Sequence, residues 1–519
     1  MKSKAQRGSA LIFALILLLV LSAMAGSLMF LSNSETYSSM NYRTMAEARY
    51  GAEAGVNAAA NFLMSANYVP PAAPAPGAEF PGYNTLTAYP VQTGGGDVIL
   101  STIPGTASTY PDGAMVAAFQ RAMNTNQPLQ QAGQNGANTV NYFASARLMS
   151  MVSIIPFGTT KAVTIQTWEI KGHGDIVNVQ NGEAEVVTTL ERYISPSFSY
   201  AAFADGGGCG QLSFTGNGTT NGYDSGGLPV VGGAVQAPTG ANLLGYGGDV
   251  GTNGNESDSG SNVQINGTLS TPNSGFGACS AGNLTALSGK SLNQVTGGLV
   301  QMPAPVTFPN PNITPPPAGS PNVSTTATLG PTNPLPANCV TSQGQTTCNY
   351  GDINLSGKDI ITLTPGTYNI NSLSISGSAQ IVIGPYPPGS PNAGQYGPVV
   401  VNVAGQNTVT PITITGNGIS NPTYDPSTLQ ILCCYQPPAP APPPPQPTIK
   451  IAGNGASAAV VYAPNSIVDM KGNGTFYGSI IANQLADVGN GAIYYDMKLK
   501  KKLFTIGNYV LNAFTWNKY

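Results

Sequence analysis

The chain has 519 residues, of which only 8% are Asp, Glu, Lys or Arg, and its formal net charge is -3. A soluble domain usually has about 25% charged residues, so the composition favours a neutral extracellular β-rich protein of two or three modules over a cytoplasmic enzyme. The charge balance excludes a nucleic-acid-binding surface, the single histidine excludes a multi-histidine metal site, and the sequence contains no P-loop motif.

The N-terminus combines basic residues with a long apolar run. Three basic residues among the first seven precede an uncharged stretch, residues 8–34, which as a helix would span about 40 Å and could cross a hydrocarbon core of about 30 Å. Three interpretations are open: a signal peptide cleaved after Ala25, an uncleaved single-pass anchor, or a type IV pilin-like leader that ends at Gly8. The predicted membrane helix includes Ala10, Leu11, Ile12, Phe13, Leu21 and Phe30.

The residues after the apolar run favour the pilin-like leader. Charged residues alternate with alanines between Glu35 and Ala60, and the first proline is Pro70. The pattern predicts one helix over residues 9–64, apolar in its first half and amphipathic in its second. A signal peptide normally leads into a new element instead.

Short motifs in the predicted helix and just before it carry a family resemblance. The segments Gln6–Ile12, Met40–Arg43 and Ala52–Gly55, with the Leu-rich run between them, are similar to the N-terminal domain of PilX-type minor pilins. The resemblance implies cleavage by prepilin peptidase between Gly8 and Ser9, methylation of the new N-terminus, and assembly with other minor and major pilins in a type IV pilus or a related secretion machine.

One position departs from the pattern of major pilins. These carry Glu at the fifth mature position, where it pairs with the N-terminal amine of a neighbour, whereas the fifth residue after Gly8 is Phe13. A subunit without this carboxylate leaves a buried amine unpaired, which disfavours repeated stacking along a filament. Minor pilins that lack the Glu are associated with the tip, so the resemblance implies a tip location.

Residues 65–195 are predicted to contain a loop-rich segment followed by a small sheet. Apolar residues alternate with polar ones in Val163–Glu169 and Val186–Leu190, which predicts antiparallel strands that pack on the second half of the helix. We expect His173 to be a turn residue within Lys171–Asp175 and not a catalytic one.

Residues 196–519 form a further predicted domain, in which short β-segments alternate with Gly-Asn-Gly tripeptides. The last three tripeptides follow one another at nearly equal intervals, with their asparagines at Asn454, Asn473 and Asn490. Such a repeat is typical of a parallel β-solenoid, with asparagines stacked at the corners, and a β-sandwich is the alternative. The fold class is therefore α+β: a leader (residues 1–8), a long helix, a small pilin-like sheet and a mostly-β C-terminal domain.

Two proline-rich insertions interrupt the repeat, at residues 302–337 and 436–447. Both are expected to be extended, polyproline-like surface loops. They serve either as connectors or as binding loops, and the sequence leaves the choice open.

All six cysteines lie in the C-terminal domain, and an even number in an exported protein predicts disulfides. We expect a local bond between Cys339 and Cys348, and a second between Cys209 and Cys279. Cys433 and Cys434 are adjacent, so they bond either to each other or to other coils.

Three charged features could carry chemistry. Asp469 and Asp487 are separated by about one repeat and could stack on one face, as a glycan-active enzyme would require, although aspartates in turns explain them better. Asp249–Gly254 begins like a calcium loop but lacks two ligands, so a turn is the preferred interpretation. Lys498–Lys502 is interpreted as a solvated turn rather than a polymer-binding patch. We therefore expect no enzyme, metal or cofactor.

The sequence thus predicts a minor, tip-located type IV pilin-like protein that takes part in pilus assembly and displays an adhesive extracellular β-domain. Its partners would be other pilins, the inner membrane before assembly, and a surface glycan or a host or abiotic surface. The alternatives are a single-pass membrane-anchored surface protein and a glycan-active β-helix enzyme.

Overall fold

The computed structural model describes residues 6–125, 129, 139–177, 179, 182–260, 262–289, 291–332, 334–342, 345–435, 445–453 and 456–518. The chain forms two compact units. The first comprises Met1–Ser153, Thr164–Tyr193 and Gly507–Tyr519, and the second comprises Ile154–Val163 and Ile194–Ile506.

The helices and the strands are each numbered in chain order, and the helices are given first. The α-helices are α1 (Gln6–Met64), α2 (Gly113–Asn124) and α3 (Leu499–Lys502), and the 3-10 helices are Ser225–Gly227, Gly240–Asn242, Leu292–Gln294 and Pro426–Thr428. The first strands are β1 (Gln92–Thr93), β2 (Gly96–Asp97), β3 (Ile99–Ser101), β4 (Val140–Ile154), β5 (Val163–Ile176), β6 (Glu183–Pro196), β7 (Ala202–Ala204), β8 (Leu212–Gly216), β9 (Thr219–Tyr223), β10 (Val230–Val231), β11 (Ala234–Val235), β12 (Val250–Thr252), β13 (Glu256–Asp258), β14 (Gln264–Ile265), β15 (Leu269–Thr271), β16 (Leu287–Ser288) and β17 (Leu299–Gln301). The others are β18 (Ala327–Leu329), β19 (Cys339–Ser342), β20 (Gln345–Asn349), β21 (Asp352–Leu355), β22 (Ile360–Leu363), β23 (Gly366–Ile370), β24 (Ser372–Ile375), β25 (Gln380–Ile383), β26 (Val399–Val403), β27 (Ile412–Ile414), β28 (Ile419–Ser420), β29 (Leu429–Cys433), β30 (Thr448–Gly453), β31 (Ala456–Gly472), β32 (Thr475–Gly489), β33 (Ala492–Asp496) and β34 (Phe504–Lys518).

Helix α1 runs without interruption through both halves of the predicted helix, which confirms the long N-terminal helix. Ion pairs one turn apart, Arg43 with Glu47 (2.8 Å) and Arg49 with Glu53 (2.9 Å), support its second half. In that half the small residues Ala48, Ala52, Val56, Ala59 and Ala60 are buried. From Ala10 to Arg43 the helix is exposed.

The first unit packs α1 against a five-stranded sheet with the order β3-β4-β5-β6-β34. Strands β5 and β6 are antiparallel, and their register runs from Trp168 opposite Leu190 to Asp175 opposite Glu183. Trp168 and Leu190 are buried with residues of α1 and of α2. The fifth strand, β34, comes from residues that follow the second unit in the chain.

The expected turn at Lys171–Asp175 is wrong, because β5 continues through it to Ile176. Gly172 and Gly174 are there because α1 lies directly on the strand. A β-carbon on Gly172 would overlap the carbonyl oxygen of Ala52, and one on Gly174 would overlap that of Ala48. His173 lies opposite Glu185 in the middle of the β5–β6 pair.

The second unit consists mainly of parallel strands stacked in register. Ser372, for example, pairs with Asp352, and Val399 with both Gly366 and Leu429. Stacked parallel strands of successive coils are the arrangement of a β-solenoid, whereas a sandwich is built from antiparallel sheets. The mostly-β C-terminal region of the predicted α+β fold is confirmed.

The coils do not stack in the order of the sequence. One row of paired strands runs β17-β15-β12-β7-β32-β31-β29-β26-β23-β20. The chain therefore enters this row in its middle, at β7, and builds outward to β17. It then crosses to the other end and returns coil by coil to β32, which pairs with β7.

The crossing segment is the first proline-rich insertion, which lies on the surface and packs against the coils at a few positions. It must pass nine strand spacings, about 43 Å at roughly 4.8 Å each. Along the way the Phe308 ring lies 4.9 Å from that of Phe203, the Pro309 carbonyl accepts a hydrogen bond from the Tyr462 hydroxyl (2.6 Å), and Ile313 is buried. The segment is a surface loop, as expected, and as a strap it also covers apolar side chains of the coils. Much of the second insertion, residues 436–444, lies outside the described residues.

Asparagines at the coil corners form the expected ladders. Asn262 donates to Asn217 (2.9 Å), Asn217 to Asn490 (2.6 Å) and Asn490 to Asn473 (2.9 Å). A second ladder, made by strand residues, connects Asn402 of β26, Asn369 of β23 and Asn349 of β20. The inner amides of each ladder donate to one neighbour and accept from the next, so the coils are joined by side chains as well as through their backbones.

Candidate functional sites

The apolar half of α1 is the first candidate surface. Leu11, Ile12 and Phe13 are 69%, 61% and 72% exposed. Among the described residues, one helix has the length and composition needed to cross a membrane, and it is α1. Gly8 and Ser9 fall within its bounds, and cleavage between them stays a prediction.

The cysteines pair within the second unit. Cys209 is bonded to Cys279, and Cys339 to Cys348 across the antiparallel pair β19–β20, as the sequence predicts. Cys433 is bonded to Cys434, which settles the choice that the sequence leaves open. Both of these adjacent cysteines are buried.

Asp469 and Asp487 do not lie on the same face of the sheet, so the prediction that they stack is wrong. Asp487 pairs in register with Met470, and Asp469 with Ala486. A shift of one residue places the two side chains on opposite faces of the ladder. Asp469 forms a 2.8 Å ion pair with Lys471, whereas Asp487 is 1% exposed.

Among the described residues of the second unit, four carboxylates are buried: Glu256, Asp258, Asp487 and Asp496. Asp487 and Asp258 flank Phe214 in one row, and Glu256 lies two residues before Asp258 on β13. Burial raises the pKa of Asp487 to about 6, and burial together with the neighbouring Asp258 raises the pKa of Glu256 well above its usual range. Apolar neighbours in the row, such as Leu212 beside Glu256, leave these groups inaccessible to a polymeric substrate.

The lysine cluster is a set of ion pairs between coils rather than a solvated turn. Lys498 lies 3.9 Å from Asp224, Lys500 lies 3.6 Å from Asp249, and Lys502 pairs with Asp425. The short helix α3 carries Lys500 and Lys502, Lys498 lies at its N-cap, and its Leu499 is buried. The cluster therefore joins three separate loops of the solenoid.

Asp249–Gly254 is neither a calcium loop nor a turn, because strand β12 runs through it between β7 and β15. Asp249 accepts hydrogen bonds from the backbone and hydroxyl of Thr268 (2.9 and 3.1 Å), and Asn253 binds the Val306 backbone. In the described part of the chain, no three His, Cys, Asp or Glu side chains are placed to hold a metal ion.

A polar cleft is the feature that sequence reasoning missed. It has a volume of about 230 Å³ and is lined by residues from three separate segments, among them Gln380, Asn417, Ser420, Asn421 and Tyr424. The segments are Gln380 on β25, residues 417–424 around β28, and Ala458 on β31. The Gly-Asn-Gly tripeptide at residues 416–418 was the one signal in the sequence, and it indicated a corner rather than a site.

Two family models match parts of the chain. Residues 7–57 match the PilX N-terminal family, and residues 392–502 match a domain of unknown function, DUF7305. The second match includes every residue named above as lining the cleft except Gln380.

Comparison with whole proteins adds little. No curated protein matches the chain. Among solved structures, the competence-associated pilin ComZ from Thermus thermophilus is similar, with 10% identity, over 76% of this chain and 86% of that chain. The TM-score of 0.25 is too low to establish a shared fold. The match to the PilX N-terminal family covers residues 7–57, the apolar helix and the motifs after it, so the likeness to type IV minor pilins is established for this N-terminal segment.

Proposed function

We propose that this protein is a tip subunit of a type IV pilus or a related secretion machine. In this proposal, prepilin peptidase cleaves between Gly8 and Ser9, the new N-terminus is methylated, and α1 holds the subunit in the inner membrane before assembly. The protein then primes assembly with other pilins and carries the second unit to the cell surface as an adhesive domain.

The observation that carries the proposal is Phe13, which occupies the fifth position after Gly8. A phenylalanine side chain there can form neither a conventional hydrogen bond nor an ion pair with a neighbour's N-terminal amine. Every copy placed within a filament would leave one amine buried and unpaired, at a cost of several kcal/mol. A single copy at the tip leaves only one such amine without its carboxylate partner.

The size of the second unit supports the same location. It comprises Ile154–Val163 and the whole of Ile194–Ile506, well over half of the chain. A unit of this size on every subunit would crowd a thin filament, whereas one copy at the end would not. Stacked coils joined by Asn ladders and disulfides make a rigid platform for loops that bind a surface.

A binding role is proposed in preference to catalysis. The carboxylates that a glycan-active enzyme would use are either inside the solenoid, as Asp487 and Glu256 are, or in a surface ion pair, as Asp469 is. Hydrolysis needs two carboxyl groups on either side of an accessible bond.

The first experiment is to determine the N-terminal sequence and intact mass of the protein from native membranes and from sheared filaments. A start at methylated Ser9 is expected in both fractions. A start at Gly26 would mean secretion through a signal peptide, and an intact Met1 would mean a simple membrane anchor. Either result would overturn the proposal.

The second experiment tests Phe13 itself. With Phe13→Glu, we expect immunogold label to move from filament ends to positions along the shaft, because the restored carboxylate can pair with a neighbour's amine. Ile16→Glu is the matched control, since it adds the same charge less than one helical turn away and carries a similar cost of membrane insertion. Label along the shaft in the unmodified protein would contradict a tip location.

A further inference from the structure

We propose that the polar cleft lined by Gln380, Asn417, Ser420, Asn421 and Tyr424 binds a single neutral sugar ring. The proposal rests on the adhesive function proposed above and assigns to it a site and a class of ligand. It does not depend on where along a filament the subunit is located.

The cleft lies where one sheet of the second unit ends, at strand β28. The four-stranded sheet has the order β18-β22-β25-β28, and within the described residues no strand pairs with the outer edge of β28. Side chains bridge from β28 to β31 instead. The Ile419 amide donates to the Ser457 hydroxyl (3.4 Å), and the Asn421 side chain donates to the Ala458 carbonyl (3.1 Å). The space beside these bridges is the cleft.

Several polar groups in the cleft are available to a ligand. Among the described residues, the Gln380 amide and the hydroxyls of Ser420 and Tyr424 have no hydrogen-bond partner. All three side chains are half-buried. Asn421 differs, because its amide holds the loop together through bonds to Asp425, Thr428 and Thr423. The available groups are therefore held on an ordered frame.

The chemistry of the lining favours a sugar over a charged ligand. Among the residues that the structure describes, no Asp, Glu, Lys, Arg or His lines the cleft, so a carboxylate or phosphate would lose its hydration without gaining a counter-charge. An amide and two hydroxyls both donate and accept, as the hydroxyl groups of a sugar require. The Tyr424 ring supplies an apolar surface for the C–H face of a sugar. The volume, about 230 Å³, is below the roughly 300–1,000 Å³ of sites for drug-sized ligands, so one ring fits.

Tyr424 is held in place by an unusual backbone. Its φ is 50°, a left-handed conformation that is rare for a bulky residue and is often found at functional sites. Its carbonyl accepts a hydrogen bond from the Tyr223 hydroxyl (2.7 Å), and its ring packs edge-on to Tyr477 at 5.3 Å. An aromatic group fixed before the ligand arrives reduces the entropy lost on binding.

The test uses the full-length protein in detergent, with saturation-transfer NMR and calorimetry. The probes are the methyl glycosides of glucose, galactose and mannose, N-acetylglucosamine, and glucuronic acid as the charged comparison. We expect saturable binding of at least one neutral sugar and weaker binding of glucuronic acid. Absence of binding by all four neutral sugars, or stronger binding of glucuronic acid, would overturn the proposal.

Variants locate the binding. Gln380→Ala and Ser420→Ala should each weaken it by about two- to tenfold, the effect of one lost hydrogen bond. Gln380→Met keeps the length of the side chain without its hydrogen-bonding groups and should weaken binding equally, so lost bonds can be separated from altered packing. Gln406→Ala removes an exposed amide outside the cleft and should bind as the unmodified protein does. Unchanged affinity in all the cleft variants would overturn the site.

Attachment assays separate this site from the adhesive function. If sugars bind in the cleft but cells carrying Gln380→Met attach normally, the adhesive role fails and the binding site stands. If attachment requires the protein but no neutral sugar binds it, the site fails and the adhesive role stands.

Discussion

Gly172 of β5 lies directly beneath Ala52 of α1, so close that a β-carbon on the glycine would overlap the alanine's carbonyl oxygen. Gly174 has the same relationship to Ala48. The helix therefore rests on the backbone of the strand, without side chains between them. This contact sets how α1 is held by the folded part of the first unit.

Gly172→Ala should destabilise the first unit by about 1–3 kcal/mol, because the clash is with backbone that cannot turn away. Both tryptophans, Trp168 and Trp516, belong to this unit, so urea denaturation followed by tryptophan fluorescence measures the effect. Gly113→Ala is the control, since Gly113 opens α2 with free space around it. Equal stability of the two variants would contradict the close packing.

Asp487→Asn should stabilise the second unit at neutral pH. Burial between Met470 and Phe214 raises the pKa of Asp487 from 3.8 to about 6. The folded state thus binds the proton more tightly than the unfolded chain, and this stabilisation is complete below pH 3.8 and lost as the pH rises through about 6. The variant should gain roughly 3 kcal/mol in free energy of unfolding at pH 7.5 and almost nothing at pH 3.5.

Urea denaturation at both pH values, followed by near-UV circular dichroism, checks this expectation. Asp469→Asn is the matched control, because its carboxylate lies at the surface beside Lys471 and its loss should change stability by less than about 1 kcal/mol. A gain that is the same at pH 3.5 and pH 7.5 would show that ionisation is not the cause.

The two non-adjacent disulfides should differ in their contribution to stability. Cys209 and Cys279 are 70 residues apart, whereas Cys339 and Cys348 are 9 apart. In the chain-entropy account, replacing the first pair by serine costs about 4 kcal/mol and replacing the second about 3 kcal/mol. The free energy of unfolding of each double variant, measured without reductant, decides the order. A larger loss from the shorter loop would contradict the entropic account.

Tyr424→Gly should destabilise the second unit by only about 1–2 kcal/mol. Glycine adopts a φ of 50° without strain, which recovers about 1 kcal/mol. The lost edge-on contact with Tyr477 costs about as much, and the lost burial of a half-buried ring costs about 1–2 kcal/mol more. Tyr477→Ala, which empties a buried position, should cost about 3–5 kcal/mol, and thermal unfolding compares the two variants. A loss in Tyr424→Gly as large as that in Tyr477→Ala would mean that the ring is structural.

Local sequence patterns predicted much of the architecture. Alanine spacing and the absence of proline predicted α1, alternation predicted most of β5 and β6, and the repeated Asn corners predicted the ladder through Asn217, Asn490 and Asn473. These features depend on residues close in sequence or on one repeat stacked on another. The glycines of β5 misled for the same reason: a Gly-x-Gly pattern permits a turn, and only the approach of α1 explains why it is a strand.

The likeness of the N-terminal segment to minor pilins, the α+β class and the local disulfide between Cys339 and Cys348 could therefore be predicted from the order of the residues. The stacking of β7 against β32, the inward position of Asp487 and the cleft beside β28 could not. Each of these depends on which coil lies next to which, and that choice is made by the burial of apolar side chains far apart in the sequence. A shift of one residue in that register would exchange the inside of the solenoid for its surface.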